Sequence, residues 1–191
     1  MRCMHVIPIG RVEPRVIETA QRCLADALGC NTVLVPAMED FEFAYDSARE
    51  QYSAPQLLQR LARHRLANSW RLLAITELDL FIPMLSYVYG QAQLGGALAI
   101  VSIARLRQEF HGFPADEGLL MVRTAKEVLH ETGHTLGLVH CRDETCVMSL
   151  STNIRQVDVK RPAFCVDCRV RAVDAAGGHR RQEILEAGVS E

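Results

Sequence analysis

The stretch His130–Cys141, HETGHTLGLVHC, constrains this chain more than any other. His130 and His134 are four residues apart in a strongly helical pattern, so both side chains leave one face of one helix. Glu131 sits beside the first of them. His140 lies six residues beyond His134. On a continuing helix it would point roughly 240° away. It reaches the same point in space only if the helix stops, and Gly137 permits the stop, because glycine enters the left-handed conformation at little cost. The pattern therefore demands a helix, a sharp turn and a returning chain.

Three neutral imidazoles so arranged hold a zinc ion and leave a fourth position open for water, which distinguishes catalytic sites from closed structural ones. Zinc lowers the pKa of such a water, and Glu131, beside the metal rather than bound to it, is placed to act as general base against a polarised carbonyl. The competing reading is surface histidines with a chance glutamate. It accounts for a bare HExxH but not for five fixed residues with the glycine in its mechanical place.

Four of the seven cysteines follow directly: Cys141, Cys146, Cys165 and Cys168, a C-x4-C and a C-x2-C separated by eighteen residues. Two paired knuckles predict a tetrahedral thiolate site, most simply zinc, and its closed coordination makes it structural. Two Zn2+ per chain are thus expected, one catalytic and one structural. The alternative is four buried free thiols. Cys3, Cys23 and Cys30 suit core positions, and His5, His64, His111 and His179 read as surface or internally satisfied residues.

The rest of the chain alternates. HVIPI (5–9) is a strand candidate, and EPRVIETAQRCLADALGC a helix with Pro14 in its first turn and Gly29 as its stop. NTVLVPAM is a second strand. PQLLQRLARHRLANSW is a second helix with Leu57, Leu58, Leu61 and Leu66 on its apolar stripe. RLLAITELDLF is extended, and SYVYGQAQLGGALAIVSIARL gives two extended runs broken around Gly90 and Gly95-Gly96. EGLLMVRTAKEVLHETGHTLGL is the long helix that carries the histidines. This order predicts an α/β sandwich with a mixed, mostly parallel sheet. After residue 140 the regular patterns fade into a Cys-rich segment.

HETGHTLGLVH resembles the zinc signature of the metzincins, and Met148 in CVMS stands where that group places a methionine turn beneath the metal. The extension HCRDETCVM…CVDC resembles the archaemetzincins, zinc peptidases that join the histidine site to a four-cysteine site. LAITELDLFIP, YVYGQAQ and GGALAIVS are similar to the strand segments upstream of that family's active helix, so the resemblance covers roughly residues 70–170. Two positions depart from the family pattern: sixteen residues rather than seventeen separate Met148 from Cys165, and Leu150 stands where some metzincins carry an extra tyrosine ligand.

The resemblance implies a compact metzincin-like sandwich with a twisted sheet, an active-site helix and a zinc-stabilised, Cys-rich C-terminal segment. Residues 1–176 would form one metallopeptidase domain, with an upper part over about 1–137 and a lower part over about 138–176; 177–191 would be a tail. His130, His134 and His140 would hold the catalytic zinc, with Glu131 as base for the water attacking a peptide bond and Gly137 and Met148 as structural support. Cys141, Cys146, Cys165 and Cys168 would hold the structural zinc. It also implies a substrate peptide paired along an edge strand, for which Gly95 to Ser102 is the candidate, and aminopeptidase-like attack.

Two other functions share these residues. A catalytically silent zinc protein that binds a peptide or partner would have no use for Glu131, while a zinc hydrolase of a non-peptide amide would use the same chemistry with a different pocket. The net charge of −2 gives no support for a nucleic-acid partner. No run approaches the roughly 18 apolar residues of a membrane span. MRCMHVIPIGRVEPRV makes a poor secretory leader, so a cytoplasmic, monomeric peptidase without a removable pro-segment is expected. Glu77 and Asp79 read as loop anchors, Trp70 as a packing residue, and Tyr87 and Tyr89 as residues that could line a cleft.

Overall fold

The computed structural model describes residues 2–64 and 69–177. β1 (Cys3–Ile9) leads through Gly10 into α1 (Pro14–Leu28), which ends on Gly29 in the left-handed region, φ 60°. β2 (Asn31–Leu34) follows, then a small β3 (Tyr45–Asp46) and β4 (Gln51–Ser53), and α2 (Ala54–Leu61). Next come β5 (Arg71–Thr76), β6 (Leu80–Phe81), β7 (Gly90–Ala92) and β8 (Leu98–Ser102). α3 (Glu117–Thr135), α4 (Ile154–Val159) and α5 (Val166–Gly177) complete the described chain.

The main sheet has the order β2-β1-β5-β8-β7, with every pair parallel except β7 on β8. Its central strands are apolar on both faces, as a parallel sheet covered on two sides requires. Val6, Leu73, Ile75, Ala99 and Val101 face α1 and α3. Ile7, Ile9, Leu72, Ala74 and Ile100 face α2 and the β3-β4-β6 sheet. The result is the expected α/β sandwich, with the histidine helix laid along one face of the sheet.

Three expectations change. The Gly95 to Ser102 candidate is not an edge strand: β8 is bonded to β5 on one side and to β7 on the other, while Gly95 and Gly96 lie in the turn between β7 and β8. The edge is β7, and Gly90 belongs to it instead of breaking it. The Cys-rich segment is not irregular throughout, since α4 and α5 lie within it. The end of the second predicted helix, with Leu66, and the tail beyond Gly177, with His179, fall outside the described residues.

Candidate metal centre

α3 is preceded by Asp116, whose carboxylate accepts from the Leu119 N–H at 2.8 Å and caps the first turn. It ends in a two-bond left-handed cap: the Gly137 N–H bonds the His134 carbonyl at 2.9 Å, and the Leu138 N–H bonds the Gly133 carbonyl at 3.0 Å. Gly137 takes φ 86°, the conformation this motif needs. The chain is thereby turned back, and His140 comes against the two helical histidines. Its ring stacks on His130 at 5.4 Å between centroids and meets His134 edge-on at 5.0 Å. One ring nitrogen from each of the three lies within 4.8 Å of the others.

The second nitrogens are already committed. His130 Nδ1 lies 2.8 Å from the Val147 carbonyl oxygen, and His134 Nδ1 lies 2.8 Å from that of Leu138. A carbonyl only accepts, so each Nδ1 carries the proton and each Nε2 is left with a lone pair. Those two Nε2 atoms are 3.1 Å apart. Facing lone pairs at that distance repel unless a cation lies between them, so the donor set fits a metal ion. Burial, followed by Lys160 and His134, pushes the His130 imidazole well below its ordinary range; burial also lowers His134 and His140. Neutral imidazole is the ligand form, and the lowered pKa values keep it neutral below the ordinary histidine range, so metal should be lost only as the pH falls beneath that range.

Glu131 is 5% exposed, although it is a carboxylate. Burial pushes its pKa well up, Glu127 one turn earlier adds to this, and Lys160 opposes it. A bound dication would act in the same direction as Lys160. The Lys160 ammonium lies 3.3 Å from Glu127, with both side chains buried, and Arg123 grips Asp158 through two bonds of 2.7 Å. These pairs fix α4 against α3 beneath the histidines. Removing either member of the Lys160–Glu127 pair, or Asp158 from beside the buried Arg123, would leave a charge buried alone.

Two glycines admit side chains that the site needs. A Cβ on Gly90 of β7 would lie 2.5 Å from Glu131 Cγ and 2.7 Å from the Ile100 carbonyl oxygen. A Cβ on Gly133 would collide with Met148 Sδ and lie 3.2 Å from Phe164 Cε1. Met148 therefore sits directly under the helix, fully buried. Gly133→Ala should gain about 1 kcal/mol of helix propensity and lose about 1–3 kcal/mol to overpacking. A net fall in thermal stability is expected; a variant that melted higher than the parent would show that Met148 has room to move.

The four cysteines also meet, with their Sγ atoms within 4.8 Å of one another and Cys141 Sγ 3.8 Å from Cys165 Sγ. Cys165 immediately precedes α5 and Cys168 lies in its first turn. Backbone N–H groups of Met148 and Cys165 point at Cys146 Sγ, at 3.4 and 3.3 Å, which suits a thiolate there. Burial pushes the Cys146 and Cys168 thiols up; at Cys165 burial is outweighed by the Cys168 backbone N–H and neighbouring thiols, and the thiol is lowered. Cys3, Cys23 and Cys30 lie outside this group, and burial raises the Cys23 thiol to about 12.

Asp79 clamps Arg105 through two bonds of 2.7 Å and accepts from Gln51, while Glu77 pairs with Arg107, so both acids are anchors. Trp70 packs against the main core with Arg2 and Arg71 on its ring. Glu127 has a sequence signal, as a second carboxylate four residues before Glu131 on the same helix face. The roles of Gly90, Gly133 and Lys160 have none, because each depends on a contact between distant segments.

Comparison with known proteins bears on this geometry. Residues 30–173 match the model of peptidase family M54. An archaemetzincin of Methanocaldococcus jannaschii is 34% identical over 167 residues, covering 87% of this chain and 90% of its own. The crystal structure of archaemetzincin from Methanopyrus kandleri superposes with a TM-score of 0.80 at 33% identity, covering 91% of this chain and 94% of the other. A zinc-dependent peptidase from Methanocorpusculum labreanum gives 0.81 at 30% identity, with 88% and 99% covered.

Proposed function

Because the chain belongs to the archaemetzincins, peptidase family M54, and is a zinc metallopeptidase, we propose that His130, His134 and His140 hold its catalytic zinc and that Glu131 is the general base for peptide-bond hydrolysis. The observation that carries this reading is the pair of Nε2 atoms facing each other at 3.1 Å, each with its Nδ1 committed to a carbonyl, beside a buried carboxylate. Zinc, when bound there, supplies Lewis acidity toward the scissile carbonyl. Glu131 takes the proton of the attacking water and returns it to the departing amine. The Val147 and Leu138 carbonyls hold the imidazoles in their ligand tautomer. Gly137 turns His140 inward, and Met148 supports the floor.

Substrate pairs along β7. The Tyr89 carbonyl and the Gln93 N–H are bonded to β8, so odd-numbered positions face the sheet and Gly90 and Ala92 present their backbone groups outward. A peptide added there lies across Glu131, which packs against Gly90. Gly90→Ala should displace Glu131 and lower kcat by about 10²-fold while the zinc content stays constant. Unchanged kcat would show that the base does not depend on this clearance.

Cys141, Cys146, Cys165 and Cys168 hold a second, structural zinc, giving two per chain. We place the protein in the cytoplasm, where such thiols would stay reduced; among the described residues no helix is long and apolar enough to cross a membrane. The chain acts as a monomer without a nucleic-acid partner, on peptides or small proteins, as a single domain over residues 1–176. The test is zinc per chain on purified protein, with cleavage of a mixed peptide library before and after chelation and zinc return. Near two zincs with chelator-sensitive, zinc-restored cleavage is expected; near two zincs with no cleavage would favour a silent binding protein.

A further inference from the structure

A peptide paired along β7 over Glu131 would not have equal room at both ends. One wall of its path would be β7, and the other the segment after His140, which carries the Val147 carbonyl bonded to His130 and continues through the buried Met148 to the exposed Thr152. Upstream of Gly90 the edge is already used. The next outward-facing donor, the Val88 N–H, is bonded to the Leu80 carbonyl at 2.9 Å. One residue earlier, the Tyr87 hydroxyl donates to the Thr152 carbonyl at 2.8 Å, which joins the two walls. The Tyr87 ring is held for this task. It meets the Tyr89 ring edge-on at 5.4 Å, and the Arg105 guanidinium lies 4.2 Å above it. Asp79 fixes that guanidinium through two bonds, and Phe110 backs it.

The other end has no such closure among the described residues. Beyond Ala92 the β7–β8 turn runs past the end of α3, where the Gly95 N–H bonds the His134 carbonyl, and Leu94 and Val139 are exposed. Glu131 thus stands at the last free ladder position on the Tyr87 side and at the first on the Leu94 side.

We propose that the Tyr87–Thr152 strap closes one end of the substrate groove, so that a bound peptide extends freely from the scissile bond in one direction only. Tyr87 is then a specificity residue that limits the other side. Tyr87 stands three residues before Gly90. At about 3.4 Å per residue, that leaves room for about two or three residues before the strap. This inference rests on the peptidase reading and sharpens it toward removal of short terminal fragments.

The test uses two peptide series built on one short cleaved peptide, lengthened either at the amino or at the carboxyl end. Binding to zinc-loaded protein is measured on the Glu131→Gln background, where turnover does not interfere; cleavage of the short peptide by the parent enzyme is measured separately. In one series affinity should fall by about tenfold or more once the extension passes about three residues. Tyr87→Phe should recover about fivefold of that loss by removing one hydrogen bond, and Tyr87→Ala should recover more by removing the ring. Zinc content and melting temperature check that both variants are folded. A limit in either series that Tyr87→Phe or Tyr87→Ala relieves supports the strap, and the series that shows it gives the direction of the bound peptide. Equal affinity for long and short peptides in both series, with the short peptide still cleaved, overturns the strap and leaves the peptidase standing. A limit that neither variant relieves also overturns it. If no peptide is bound or cleaved, the peptidase reading fails and the strap fails with it.

Discussion

Glu131→Gln should lower kcat/KM for a cleaved peptide by about 10²–10⁴-fold and leave the zinc content unchanged. The substitution keeps the size and shape of the side chain, so the close packing against Gly90 is retained. It removes the ability to accept a proton from the attacking water. The proposed ligands do not depend on it, because His130 and His134 are oriented by the Val147 and Leu138 carbonyls. It also takes a carboxylate away from the buried Glu127–Lys160 pair, which remains matched. Folding stability should therefore hold or rise slightly, since a buried ionisable group becomes a neutral one. Metal analysis, steady-state kinetics and a thermal melt on one preparation separate these effects. A fall in activity that tracked a loss of zinc would assign Glu131 to holding the site together, and retention of a tenth or more of the activity would remove it as the base.

The sequence discloses the helix, its end and the returning histidine because all three are local. The i, i+4 spacing of His130 and His134 and the left-handed residue at Gly137 act within a few residues of one another, and the observed cap follows that logic bond for bond. The same holds for α1, which Pro14 opens and Gly29 closes. The edge of the sheet is another matter. LAIV of β8 is an unbroken apolar run because the strand is covered on both faces and bonded on both sides, whereas GQA of β7, the strand at the edge, is too short and too mixed to advertise itself. An apolar run reports burial of faces, not the occupancy of edges.

Gly90 illustrates the deeper limit. In a one-dimensional reading it breaks a strand, while in three dimensions it is the clearance for a carboxylate 41 residues away. Lys160 likewise carries no mark in the sequence of anything but an ordinary cation, yet its side chain is fully buried on Glu127. Neither role can be read before the fold brings its partner near. α4 and α5 escape notice because they are short or weakly patterned and lie among cysteines whose spacing points to a metal site.

Cys168→Ser should lower the melting temperature by about 10 °C or more and lower the zinc content by about one per chain. The segment from Cys141 through the first turn of α5 has little core of its own, with Cys146, Val147, Met148, Val157 and Cys168 as its buried apolar residues. Binding free energy at a four-thiolate site is folding free energy for such a segment, and in small zinc modules it reaches about 10–16 kcal/mol. Loss of one thiolate in four would remove several kcal/mol from a total of about 5–15 kcal/mol for a domain. At about 2–4 °C per kcal/mol for a chain of this size, the expected shift follows. The damage should spread to the histidines. Cys141 directly follows His140, its N–H is bonded to the Met148 carbonyl at 2.9 Å, and the Ser149 N–H is bonded to the Cys146 carbonyl at 2.9 Å. A loosened thiolate site therefore loosens the third histidine and the methionine beneath the helix together, and peptide cleavage should fall with the melting temperature. Cys23→Ser is the control: its thiol lies outside the cluster and bonds the Ala20 carbonyl at 3.2 Å, as a serine hydroxyl also can, so the zinc content should not change. Two zincs and an unshifted melt in Cys168→Ser would show that the four thiols are packing groups and that the lower segment stands without a metal.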